Sequence, residues 1–116
     1  MIRRAGDCPV EYREHMRDGE GTVKITNFIT SPGDLNEKGR MFSRITLNPG
    51  CSIGYHVHEK DSEIFYFLTG KGIYSDNGEE TEVSAGDVAF CPAGTGHSIR
   101  NAGTDVLEMV ALIVYK

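Results

Sequence analysis

Between residues 20 and 116 the chain never runs long without a turn signal. Short apolar stretches end at Pro49-Gly50, Gly70, Asn77-Gly78, Gly86 and Pro92, and fourteen glycines are spread along the sequence. No stretch in this span carries a 3.6-residue apolar period, so the pattern offers no amphipathic helix. Many short strands with turns every 8–12 residues point to an all-β sandwich or barrel. The sequence predicts strands at 23–30, 41–48, 52–58, 63–69, 72–75, 80–83, 88–91, 97–101 and 106–115, with a polar loop over 31–39. Asn77-Gly78 is a strong two-residue hairpin signal, because both central positions of a type I′ turn need positive φ.

The 116 residues suit one domain. Residues 1–22 read as an N-terminal arm with few apolar side chains, and 23–116 as a single barrel. Such an arm is expected to lie against a partner's sheet and cover an exposed edge, which predicts a homodimer. Twelve basic residues stand against seventeen acidic ones, a net charge of −5. That balance opposes a nucleic-acid surface, which would cluster Lys and Arg, and it opposes a basic membrane patch. No apolar run approaches the roughly 20 residues of a membrane span. The first fifteen residues lack the apolar segment of a secretory signal. Cys8, Cys51 and Cys91 are odd in number and far apart, so they read as reduced thiols of a cytoplasmic protein.

The chemistry concentrates in "GYHVHEKDSEIF", residues 54–65. His56 and His58 share one strand face, because side chains alternate. Glu63 has the opposite parity. Were residues 59–62 a hairpin loop, His58 and Glu63 would close that hairpin, and opposed residues point to the same face. Two imidazoles and a carboxylate would then converge as metal ligands. His97, after the tight loop Pro92-Ala-Gly-Thr-Gly, is the candidate fourth donor. His15 lies in a charged stretch and reads as a solvated side chain.

These positions resemble the two conserved motifs of the cupins. Gly50, His56, His58, Glu63 and Gly70 fall at the spacing of the first motif; Gly86, Pro92, Gly94, His97 and Asn101 fall at that of the second. The resemblance implies a jelly-roll β-barrel holding one metal in its lumen on His56, His58, Glu63 and His97, with Asn101 bonding the barrel wall or a nearby loop. Three imidazoles and a carboxylate suit Mn, Fe, Co, Ni or Zn better than Ca or Mg. A six-coordinate ion would keep two positions open for a substrate. The family includes isomerases, lyases, decarboxylases and dioxygenases acting on small polar acids or sugars, and also modules that only bind a ligand. Its thiol dioxygenases usually lack the glutamate, so Glu63 counts against that branch.

The expected function is metal-dependent chemistry on a small polar metabolite, the alternative a non-catalytic ligand-binding or regulatory module with a structural metal. Tyr66 and Tyr74 are candidate acid/base groups. Arg44 would clamp a carboxylate if its face of the 41–48 strand looked inward, and is otherwise an exposed strand arginine. Phe65 and Phe67 either wall the pocket or pack the core. Cys51 fits a small buried apolar residue, and Cys91 is undecided. No Ser-His-Asp set, GxGxxG or phosphate loop supports hydrolysis or nucleotide binding.

Overall fold

The computed structural model describes all 116 residues. Ten strands run in chain order: β1 (Val10–Glu14), β2 (Thr22–Asn27), β3 (Gly39–Leu47), β4 (Ser52–His58), β5 (Asp61–Thr69), β6 (Lys71–Asp76), β7 (Glu79–Ser84), β8 (Val88–Cys91), β9 (Thr95–Arg100) and β10 (Leu107–Tyr115). They form two antiparallel sheets, one ordered β1-β2-β3-β10-β5-β8 and the other β4-β9-β6-β7. The only helical pieces are short 3₁₀ turns at 5–7, 16–18 and 32–35. No helix is long and apolar enough to cross a membrane.

Strand alternation decides what fills the space between the sheets. On β3 the inward set is Gly39, Met41, Ser43, Ile45 and Leu47, so Arg44 faces out, where it approaches Glu108 at 3.6 Å. The reading of Arg44 as an exposed strand arginine therefore holds, and the lumen clamp does not. Val23, Ile25, Ile45, Leu47, Phe65, Phe67, Leu107 and Met109 from the larger sheet meet Ile53, Tyr74, Val83 and Ile99 from the smaller one. At about 25 cal/mol per Å² of apolar area removed from water, this continuous cluster is the main favourable term of folding. The turn at Asn77-Gly78 has φ of +53° and +100° and joins β6 to β7 as the sequence predicts.

Two expectations fail. Residues 59–62 do not form a hairpin loop. β4 pairs with β9, β5 pairs with β10 and β8, and the chain crosses from one sheet to the other through Glu59 and Lys60 alone. The polar residues there mark a change of direction, but a turn signal carries no information about which strand becomes the neighbour. The N-terminal segment also differs from a bare arm: β1 pairs with β2 of its own chain and becomes the edge strand of the larger sheet.

Residues 15–19, between β1 and β2, fold over β4. Ser52 N–H donates to the Glu20 carbonyl (2.9 Å), and Glu20 N–H donates to Ser52 Oγ (2.8 Å). Between these stitches a Cβ on Gly54 would collide with the Arg17 carbonyl and crowd the Gly19 nitrogen. Backbone cannot give way as a flexible side chain does. We expect Gly54→Ala to cost about 1–3 kcal/mol, a fall of several degrees in Tm, measured by thermal denaturation; an unchanged Tm would show that the 15–19 segment is not seated on β4.

Candidate metal centre

The two sheets bring four donors to one point near the open end of the barrel. His56 and His58 project inward from β4, while Tyr55 and Val57 between and beside them face solvent. β9 lies antiparallel to β4 with His97 in register with His56. Glu63 comes from β5 in the opposite sheet. Its side chain reaches across the lumen, which is how it meets His58 without a hairpin. The ligand atoms of the four residues all lie within 4.8 Å of one another, and His58, Glu63 and His97 are buried. His15 is exposed on the 15–19 segment, its Nδ1 3.1 Å from the Gly19 carbonyl, and takes no part.

The outward nitrogen of each ring has its own partner. His56 Nδ1–H donates to the Gly54 carbonyl (2.8 Å) and His58 Nδ1–H to Asp61 Oδ1 (2.6 Å), while His97 Nδ1 and the Tyr74 hydroxyl share a hydrogen bond at 2.9 Å. With the proton held on Nδ1 of His56 and His58, their Nε2 atoms present lone pairs to the centre. His58 and His97 then face each other Nε2 to Nε2 at 3.1 Å, and His97 and His56 at 3.2 Å. Glu63 Oε1 lies 3.2 Å from His58 Nε2 and 3.0 Å from His97 Nε2. Lone pairs so close repel unless a positive charge sits among them. Four donor atoms of these types, mutually within 4.8 Å and largely buried, could hold one divalent transition metal.

The electrostatics agree. A hydrogen bond that the protonated His58 donates to Glu63 is the main cause that raises His58 above the ordinary histidine value, against the opposing effect of burial. Burial lowers His56. Burial alone would push the Glu63 carboxyl up, but its bonds with His58 and His97 outweigh that and hold it low. Asp61 is also held low despite burial, because Arg40 Nε donates to its Oδ2 at 2.8 Å and His58 to the other oxygen.

Phe65 lies nearly parallel to His97 (centroids 5.1 Å apart, 20° between planes) and separates the cluster from the apolar core; Phe67 is wholly buried behind it. Both pack as core. Tyr74 is 3% exposed behind His97, and burial pushes its phenol far above the ordinary tyrosine value. It sits behind His97 and does not line the cavity. Tyr66 faces solvent on the outer side of β5, away from the cavity. Cys91 lies opposite Glu63 in register on β8 but turns its thiol to Thr95, and Cys51 is half-buried against the core. Asn101 donates to the Leu47 and Asp105 carbonyls (2.9 and 2.8 Å), tying a loop to the barrel wall as expected. Sequence reasoning missed Asp61, placed within a turn although a carboxylate three residues after His58 was a usable signal. It also missed Arg40, whose outward parity at the start of β3 hides a side chain that curls over the rim.

A cavity of about 370 Å³ opens from the cluster to solvent. His56, His58 and Glu63 lie at its base; Ile25, Met41, Ile45, Ile53 and Ile113 wall it; Glu11, Arg13, Arg17 and Arg40 ring its mouth. That is the size of a small-molecule site.

Comparisons with known proteins agree with this architecture. The family model described as "Cupin domain" matches residues 43–115, and the chain belongs to the cupin family. An oxalate-binding protein of Thermotoga maritima is 39% identical over 114 residues, 98% of this chain and 93% of that protein. A solved structure from the same organism, described as a "predicted oxalate decarboxylase", superposes with a TM-score of 0.94 at 39% identity over the whole of both chains. An uncharacterised protein of Methanocaldococcus jannaschii is 36% identical over 97 residues, covering 75% of this chain and 78% of its own length.

Neutral imidazole binds metal, so protons compete with it. In the metal-free protein, the proton on His58 stabilises the fold below the ordinary 6.5, and that contribution fades as pH rises through the raised folded value. His56 acts oppositely: its depressed value costs stability as pH falls through 6.5. The Tm gain from added metal should therefore shrink between about pH 7 and about pH 5. At neutral pH, His58→Ala should lose metal, His15→Ala should keep it, and Asp61→Asn should bind about 10–100-fold more weakly. Elemental analysis and melting curves check all of these. Full metal content in His58→Ala would refute the site.

Proposed function

We propose that the chain binds one divalent transition metal (Mn, Fe, Co, Ni or Zn) on His56, His58, Glu63 and His97, and uses it to hold a small carboxylic acid. The observation that carries this reading is the opening of the four-donor cluster onto a cavity whose mouth bears Arg13, Arg17 and Arg40. The bound ion would supply positive charge and open positions for a chelating oxyanion. The protein fixes three imidazole orientations through Gly54, Asp61 and Tyr74 and places Phe65 beneath the centre. The Thermotoga relative named for oxalate binding favours an acid over a sugar.

Catalysis is the second reading, favoured by the open cavity and by the description of the Thermotoga structure as a "predicted oxalate decarboxylase". Lyase chemistry fits it better than isomerase or dioxygenase chemistry. Glu11 is the one carboxylate at the mouth, bound by Arg13 at 2.6–2.7 Å. The three unpaired thiols support a cytoplasmic setting.

Oxalate should raise the Tm of the metal-loaded protein and leave the chelator-treated protein unmoved. At a hundredfold excess over Kd the gain is about 2.7 kcal/mol, or several degrees. Acetate, which cannot chelate through two carboxylates, should give much less. No shift with oxalate would count against acid binding, and one formate plus one carbon dioxide released per oxalate and proton would establish catalysis.

A homodimer remains part of the proposal on different ground from the arm. Tyr66 and Leu68 on β5 and Val88 and Phe90 on β8 are exposed on the outer face of the larger sheet, with Tyr66 in register with Val88. Contiguous apolar surface of this kind marks an interaction site. Sedimentation at micromolar concentration should give twice the 12.8 kDa chain mass, and Phe90→Lys should shift it toward the monomer. A wild-type monomer would remove the dimer.

A further inference from the structure

Three of the chain's seven arginines line one cavity, although the chain as a whole carries a net charge of −5. Their states differ. Arg13 is closed on Glu11, which accepts from both its Nε and its Nη2 at 2.7 and 2.6 Å. Arg40 spends only Nε, on Asp61, and keeps both Nη groups free. Arg17 has no acidic partner at all. Two guanidinium groups at the mouth therefore have donors to spare.

The backbone that presents Arg17 is unusual. His15, Arg17 and Asp18 all have left-handed φ, at +51°, +54° and +63°. L-residues avoid that region, and such strain persists only where surrounding structure enforces it. Here the Gly19–Gly54 contact and the Ser52–Glu20 bonds hold the segment on β4, beside the metal-ligating His56. Arg17 is exposed to solvent and lines the cavity from this segment. Arg40 reaches the same mouth from β3, linked through Asp61 to His58. Ile25, Met41, Ile45, Ile53 and Ile113 supply an aliphatic stretch of the wall, beside the polar Asn27, Thr30 and Ser31.

We propose that Arg17 and Arg40 form a second, anionic subsite, so that the ligand is a dicarboxylic acid longer than oxalate. One end chelates the metal, an aliphatic middle lies along the isoleucine wall, and the far carboxylate meets the two guanidinium groups. Planar guanidinium donors suit that carboxylate. The inference rests on the metal-and-acid reading above and narrows its ligand class. It replaces Arg44, the arginine that strand parity offered, with two that line the cavity.

The test compares α-ketoglutarate with α-ketovalerate, which has the same carbon chain without the second carboxylate. Both are titrated calorimetrically into Mn²⁺-loaded protein, with oxalate as reference. Wild type should prefer α-ketoglutarate by about tenfold or more, the ratio one charge-assisted hydrogen bond supplies. That preference should shrink in Arg17→Gln and vanish in the Arg17→Gln/Arg40→Gln double variant. Arg44→Gln, altered on the outer face, should retain it. Because the readout is a ratio on one metal-loaded protein, a change in metal affinity through Asp61 does not mimic it. Equal binding of the two keto acids to wild type, or a preference that survives in the double variant, overturns the second subsite while leaving oxalate binding intact. Failure of oxalate and both keto acids to bind would overturn the acid-binding reading itself.

Discussion

The structure depends on four lone-pair donors meeting across the gap between two sheets. Three come from the smaller sheet and one, Glu63, from the larger, so the cluster exists only while the sheets face each other. Without a cation the neutral rings crowd one another: His97 Nε2 has His58 Nε2 at 3.1 Å, His56 Nε2 at 3.2 Å and a carboxylate oxygen at 3.0 Å. A proton on His58 or His97 lets Glu63 accept a hydrogen bond, and that bond holds its carboxyl low against burial. An ion that binds only the folded state would take the proton's place and add stability by mass action.

The partners of the rings make the donors usable. A histidine with a free Nδ1 can exchange tautomers and present a proton to the centre. The Gly54 carbonyl and the Asp61 carboxylate, which only accept, remove that freedom from His56 and His58, and the Tyr74 phenol orients the ring of His97. Asp61 does most, because its charge strengthens the donor character of His58, and Arg40 in turn keeps that buried charge from being stranded. The chain from His58 through Asp61 to Arg40 therefore carries the site's electrostatics out to the cavity mouth. Gly54 joins two tasks at one residue: its carbonyl fixes His56, and its missing Cβ admits the segment that carries Arg17.

Much of this was legible in the sequence because it follows from period. Alternation put His56 and His58 on one face, and turn residues bounded β4 and β8 at the residues observed. The Asn77-Gly78 hairpin followed from the φ that both positions need. What was not legible depended on pairing between distant strands. "EKDS" looked like a hairpin loop, yet β4 takes β9 as its neighbour, thirty-seven or more residues on in the chain. The conclusion that Glu63 joins the histidines survived a wrong route, since the chain crosses the barrel instead of reversing beside itself. Arg44 and Tyr66 failed for the same reason: parity tells which residues share a face, but only the packed sheets tell which face is inside.

That distinction explains why the four clustered donors were easier to find than the residues around the cavity. Ligands must converge, and convergence imposes spacing that strands record at two-residue resolution. Residues lining a mouth need only reach it, and long side chains can do so from a strand end or a strained turn. Arg40 has outward parity at the first turn of β3 and still bends over the rim to Asp61. Arg17 sits in a stretch with no strand period, placed by φ values that no propensity would assign to His, Arg and Asp in succession. Where a fold keeps its chemistry at the open end of a barrel, the ligand-contacting groups come from the segments whose conformation local sequence specifies least. The shape and charge of the cavity mouth can then change through the 15–19 segment while the four donors and the sheets that carry them stay as they are.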